Sequence, residues 1–164
     1  MTYRRFAAMI AVSTVVMYGL MFLNTWQIDH VRFSETRLYM ALIMGAAMAA
    51  IMMGFMWSMY EKTRINQAII ALSIVVFAGS LWLVRSQATI GDVAYMKAMI
   101  PHHSIAVLTS ERANIRDPRV RELADEIIEA QVREIDEMNA LIADLSREPP
   151  PADAPALPSR AATP

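Results

Sequence analysis

LYMALIMGAAMAAIMMGFMWSMY, residues Leu38–Tyr60, carries no charged side chain and decides how the chain must be built. As a helix it reaches about 35 Å at 1.5 Å per residue, enough to cross a hydrocarbon core of about 30 Å. Similar uncharged runs lie on either side, Phe6–Leu23 before it and Ile65–Val84 after it. No other part of this 164-residue chain is large enough to bury three such helices in a soluble core. The lipid bilayer is therefore the expected partner, and three transmembrane helices are expected at about 6–24, 38–60 and 65–84, making a membrane domain of residues 1–85. The 55% apolar content and the mean hydropathy of +0.32 come mostly from this half.

The first run follows Arg4 and Arg5, as a secretory signal would. It is long for a signal, and Leu23-Asn24-Thr25-Trp26 offers no small-x-small cleavage site, so an uncleaved anchor is expected. Lys62 and Arg64 fall between the second and third runs. With Arg4 and Arg5 they favour a cytoplasmic N-terminus and a periplasmic C-terminal domain in a multi-pass inner-membrane protein. Trp26, Trp57, Tyr60 and Trp82 fall near span ends, where amphipathic rings sit at the headgroups.

Within the central run Ala41, Gly45 and Ala49 recur every four residues, as do Ala46, Ala50 and Gly54, a spacing that lets membrane helices approach closely. Met40, Met44, Met48, Met52 and Met56 share that step. Steps of four drift by about 40° on a 3.6-residue helix, so this row winds round the helix and reads as apolar filler in preference to a thioether ladder. Asp29-His30 lies in the polar loop before the central run, where a solvated histidine is expected. The absence of cysteine excludes disulfides and thiolate ligands, and a net charge of −1 gives no reason to invoke nucleic acid.

Beyond Arg85 the pattern becomes that of soluble helices, and residues 86–145 are expected to form an antiparallel helical hairpin. Asp92 is the expected N-cap of a helix running to about Ile115. Asp117-Pro118 starts a second helix, to about Leu145, with Pro at its first position. Residues 146–164 contain six prolines and read as a disordered tail.

Val120, Ala124, Ile127, Gln131, Glu134, Met138, Leu141 and Leu145 form a heptad seam on the second helix. Asp92, Met96, Met99, His103, Ala106, Ser110 and Ala113 form the matching seam on the first. Antiparallel pairing about the turn sets His103 against Gln131, Met99 against Glu134 and Met96 against Met138, so the unusual side chains fall in three consecutive layers. A buried carboxylate costs several kcal/mol unless it is paired or binds a metal, and neither seam carries Lys or Arg in those layers. Thioethers select soft Cu(I), whereas imidazole and carboxylate also suit Cu(II) or Zn(II), so the mixed set favours copper. Pro101 should bend the first helix. His102 points about 100° away from His103. A second reading stays open, in which the polar layers satisfy one another without metal and specify helix pairing.

The run Tyr95-Met-Lys-Ala-Met-Ile-Pro-His-His103, followed by Asp117-Pro118, Leu123-Ala124, Ile127-Ile128, Gln131, Glu134-Ile135 and Met138, resembles the bacterial family called domain of unknown function 305. Asp29–Leu42 and the Met-rich central run resemble a membrane-anchored subgroup of it. The resemblance implies a ferritin-like, copper-associated fold, with Met96, Met99, His102, His103 and Met138 as ligands; the seam adds Glu134. The chain holds a single copy of the hairpin, and a two-helix unit buries too little surface to stand alone, so homo-oligomerisation through the hairpin is expected.

The expected class is thus all-α: three membrane helices, a ferritin-like half-bundle and a tail. The expected function is a binding protein that sequesters copper or passes it to a copper-handling partner, not an enzyme. A di-iron oxidase needs Glu-x-x-His pairs, and no Glu here is followed three residues later by His. Ser104 beside His103 lacks the strained turn of a hydrolase nucleophile. The alternative is a structural or regulatory membrane protein whose hairpin mediates oligomerisation.

Overall fold

A computed structural model describes residues 2–151 and 153–158. Five α-helices follow one another: α1 (Tyr3–Leu20), α2 (Glu35–Phe55), α3 (Thr63–Ser86), α4 (Asp92–Arg112) and α5 (Pro118–Arg147). Short 3-10 turns at Ile28–His30 and Trp57–Met59 join α1 to α2 and α2 to α3.

Among the described residues two helices, α2 and α3, are long and apolar enough to cross a membrane, not the three expected. The difference lies in α1. Arg4 and Arg5 are inside its first turn, and the chain leaves the helix after Leu20 through turns closed by Phe22 N–H on Gly19 O and Leu23 N–H on Leu20 O. Its charge-free part, Phe6–Leu20, is about 22 Å long, short of a hydrocarbon core of about 30 Å.

The disordered tail is likewise not shown. α5 runs two residues past the expected end, to Arg147, and a turn closes further on where Ala154 N–H donates to Pro151 O at 3.0 Å. Residues 152 and 159–164 of the expected tail lie outside the described residues.

Small residues set the close packing of α2. Ala41, Gly45, Ala46 and Ala49 are buried, and α2 packs along both α1 and α3. A Cβ at Gly45 would collide with Thr14 Oγ1, whereas one at Gly54 would meet nothing. Asn66, fully buried at the start of α3, fastens the lower end of this unit. Its amide donates to Tyr60 O at 3.2 Å, and its carbonyl accepts from Tyr3 Oη at 2.8 Å.

In the hairpin, Asp117 caps α5 as expected, its side chain accepting from Arg119 N–H at 2.9 Å with Pro118 next in line. Asp92 is not the cap of α4: Gly91 holds that place and Asp92 is the first helical residue. The helices meet through Met96 and Ile100 on α4 and Ile135 and Met138 on α5, with Val93, Met99, Ile142 and Leu145 around them. This face keeps Met96, Met99, Met138 and Leu145 of the expected seam but is centred on Ile100 and Ile135 in place of Glu134. Ile135 is 2% exposed, while Ile127 and Leu141 stand at 37% and 45%. Aliphatic Ile128, Ile135 and Ile142 follow a second seven-residue row that fills the interface better than one containing Glu134, so α5 is turned to bury that row.

Gly45→Leu should overpack α2 against α1 and destabilise the unit of α1–α3 by about 1–3 kcal/mol, whereas Gly54→Ala should be neutral. Thermal unfolding of the detergent-solubilised protein measures both; equal midpoints for the two variants would refute this packing.

Candidate metal centre

Rotation of α5 brings the chemically distinctive side chains to one flank of the hairpin. An open groove of about 570 Å³ runs there, lined by Asp92, Tyr95, Met96 and His103 of α4 and Glu134, Glu137, Met138, Leu141 and Leu145 of α5. His103 Nδ1 lies 3.4 Å from Glu134 Oε2. The expected partner of His103 was Gln131, and that of Glu134 was Met99. Glu134 instead faces His103, one turn from the expected register, and Gln131 Nε2 donates to Glu134 Oε2 at 3.5 Å.

His103 Nδ1 is buried and makes no hydrogen bond, so the 3.4 Å approach to Glu134 is an ion-pair distance without hydrogen-bond geometry. A buried polar nitrogen left without a partner costs about 1–3 kcal/mol, and it needs either a proton shared with the carboxylate or a cation between them. Burial pushes the His103 imidazole below its ordinary value, Glu134 opposes this, and His102 adds to it. Neutral imidazole is the form that ligates a metal.

Met96 and Met138 are buried and line the same groove as the His103–Glu134 pair. Met99 packs against the hairpin core and is not a wall of the groove. His102 is exposed; its ring centre is 6.3 Å from that of His103 and the planes are inclined at 53°. The structure thus gathers Met96, His103, Glu134 and Met138, and leaves Met99 and His102 beside them. Among the described residues no three His, Asp or Glu side chains converge on one point, and the remaining donor side chains of this groove are the thioethers of Met96 and Met138 and the Tyr95 hydroxyl. Thioether donors suit a soft ion.

Tyr95 and Glu137 were not foreseen as walls of this groove. Glu137 follows Glu134 by three residues, a helical spacing that would have found it.

The loop before α2 was expected to expose His30, but that side chain is 8% exposed and packed on α4. Trp26 N–H donates to Ser104 Oγ at 2.7 Å, and His30 Nδ1 lies 2.9 Å from the same oxygen. With Trp26 donating, the hydroxyl proton is free to donate to a neutral His30 ring. Burial lowers the His30 pKa, Asp29 opposes, Arg32 lowers it further and Asp136 opposes. Arg32 to Asn139 (3.4 Å) and Tyr39 to Thr89 (2.9 Å) complete the seam between loop, α2 and hairpin. The residue next to His103 is therefore pinned to the loop between α1 and α2.

With this geometry in place, comparison with known proteins is informative. The family described as a domain of unknown function (DUF305) matches residues 92–162. A protein of Acanthamoeba polyphaga mimivirus, described as uncharacterized, is 35% identical over 124 residues, covering 73% of this chain and 80% of that protein. The chain belongs to the DUF305 family. The DUF305 match contains the whole hairpin, and the similarity to the viral protein extends ahead of it into the preceding helices. No solved structure matches the chain.

The lowered His103 and His30 values fix a sign. Both groups favour the neutral form when folded, so their contribution is present above the unfolded value of 6.5 and is lost as pH falls through the lower folded values. The unfolding midpoint should drop between pH 7.5 and 5.5, and His103→Gln should flatten part of that slope. Parallel slopes for wild type and variant would show that His103 is not held neutral.

Proposed function

We propose that this membrane-associated protein holds a copper ion between α4 and α5 and serves to sequester it or pass it to a copper-handling partner. The observation that carries this is the buried, unpartnered His103 Nδ1 facing Glu134, with Met96 and Met138 on the same groove. Imidazole, carboxylate and two thioethers would supply the ligands, and the mixture favours copper over calcium, magnesium or structural zinc. Met99 lies behind this set, and His102 stands on the exposed side of α4, where an arriving ion meets it first. The ion would satisfy the orphaned nitrogen and neutralise the carboxylate in one step. Its role is binding and not catalysis.

The protein is proposed to reside in a bacterial inner membrane with the hairpin on the extracytoplasmic side. Lys62, which caps α3, and Arg64 in its first turn support a cytoplasmic location for that end. The opposite ends, Glu35 and Ser86, lie on the side of the loop and hairpin that Ser104 joins. A second reading is a pairing module without metal, favoured by the exposure of Val120, Leu123, Ile127 and Leu141.

Purified protein exposed to Cu(I) and then dialysed should retain about one copper per chain by elemental analysis, and His103→Ala with Met138→Leu should retain almost none. Unchanged retention in the double variant would defeat the ligand assignment; no retention by wild type would leave the pairing reading. An alkaline phosphatase fused after Arg147 should be active, because that enzyme matures only outside the cytoplasm, and a silent fusion at equal expression would reverse the orientation.

A further inference from the structure

The flank that holds the candidate ion site continues past it. Toward the α4–α5 turn it carries Val120, Leu123 and Ile127, and toward the other end Leu141, all exposed. Val120, Leu123 and Ile127 step by three and four residues and Leu141 follows fourteen further on, so apolar side chains mark the two ends of about 32 Å of one side of α5, with Gln131 and Glu134 between them. The wall beside it holds Asp92, Glu134 and Glu137, and no Lys or Arg lines the groove. The loop between α1 and α2 touches the hairpin elsewhere, through Ser104 and Asn139.

We propose that this flank docks an amphipathic helix of another protein, one that carries Lys or Arg beside its apolar face. Charge selects that occupant over a second copy of this chain. An antiparallel copy that set Val120 against Leu141 would set Glu134 against Ile127, burying a carboxylate on methyl groups. A parallel copy in register would set Glu134 against Glu134 and Glu137 against Glu137. Both arrangements carry the cost of unpaired or like charge at an interface. A basic helix covers both apolar ends with its own aliphatic row and pairs each carboxylate, the helix-in-groove mode of recognition. The docking surface overlaps the proposed copper groove but does not rest on copper being bound there.

The test uses the full chain in nanodiscs of zwitterionic lipid, with a metal chelator present, so that failure of the copper reading leaves it untouched. The chain has no cysteine, so Leu123→Cys gives a single nitroxide attachment point on the flank. Glu129→Cys, exposed on another side of α5, gives a control. The probe is a synthetic helix of leucine and lysine heptads. It should slow the label at position 123 and leave that at 129 mobile. Asp92→Lys with Glu137→Lys should raise the half-saturating concentration at least about ten-fold at unchanged helix content. The proposal is overturned if the position-123 label stays mobile, or if a leucine and glutamate helix slows it equally. It is also overturned if the label is already slow without probe and is freed on dilution, which assigns the flank to a second copy.

Discussion

Packing of Ile135 against Met96 and Ile100 sets the rotation of α5, and the chemistry of the hairpin follows from that rotation. An aliphatic side chain of this size contributes about 1.5–3 kcal/mol when fully buried, while a carboxylate in the same place would cost several. Glu134 is the neighbour of Ile135, about 100° round the helix, so burying one turns the other to the flank. There it meets His103, which is itself one turn along α4 from Met99 and just outside the hairpin core. Met96 and Met138 serve both surfaces, closing the core on one side and lining the groove on the other.

The unit of α1–α3 contributes position. Trp26 and His30 converge on Ser104, which is fully buried and directly follows His103 in α4. A two-helix unit has too little core to be rigid alone. Fastening the middle of α4 to the loop gives it a third layer and fixes which side of the hairpin faces the α1–α2 loop. The flank bearing the groove is left open. Pro101, also buried, lies within the continuous helix Asp92–Arg112 next to this fastening, so the helix is held where its own hydrogen-bond ladder is weakest.

Much of this was legible from the sequence. The helices appear where period and composition place them, Asp117-Pro118 starts α5, and the small residues of α2 form its packed face. The missing third span was not legible, because hydropathy alone does not reveal that the chain turns at Met21 or that α1 begins before Arg4. The seam was misread for a related reason. α5 carries two seven-residue apolar rows, one through Ile128, Ile135 and Ile142 and one through Val120, Ile127 and Leu141, and period alone does not choose between them. The choice depends on volume and charge, which favour the row without Glu134. His30 was misread because its partner, Ser104, lies in another half of the chain.

The proposal that Met96, His103, Glu134 and Met138, which line one groove, hold a single ion is most directly tested by X-ray absorption at the copper edge of the loaded, full-length protein. Sulfur neighbours together with a nitrogen or oxygen shell should appear, with imidazole scattering that disappears in His103→Ala. A spectrum with oxygen and nitrogen neighbours alone, unaltered by that substitution, would contradict the convergence of these side chains on a single ion.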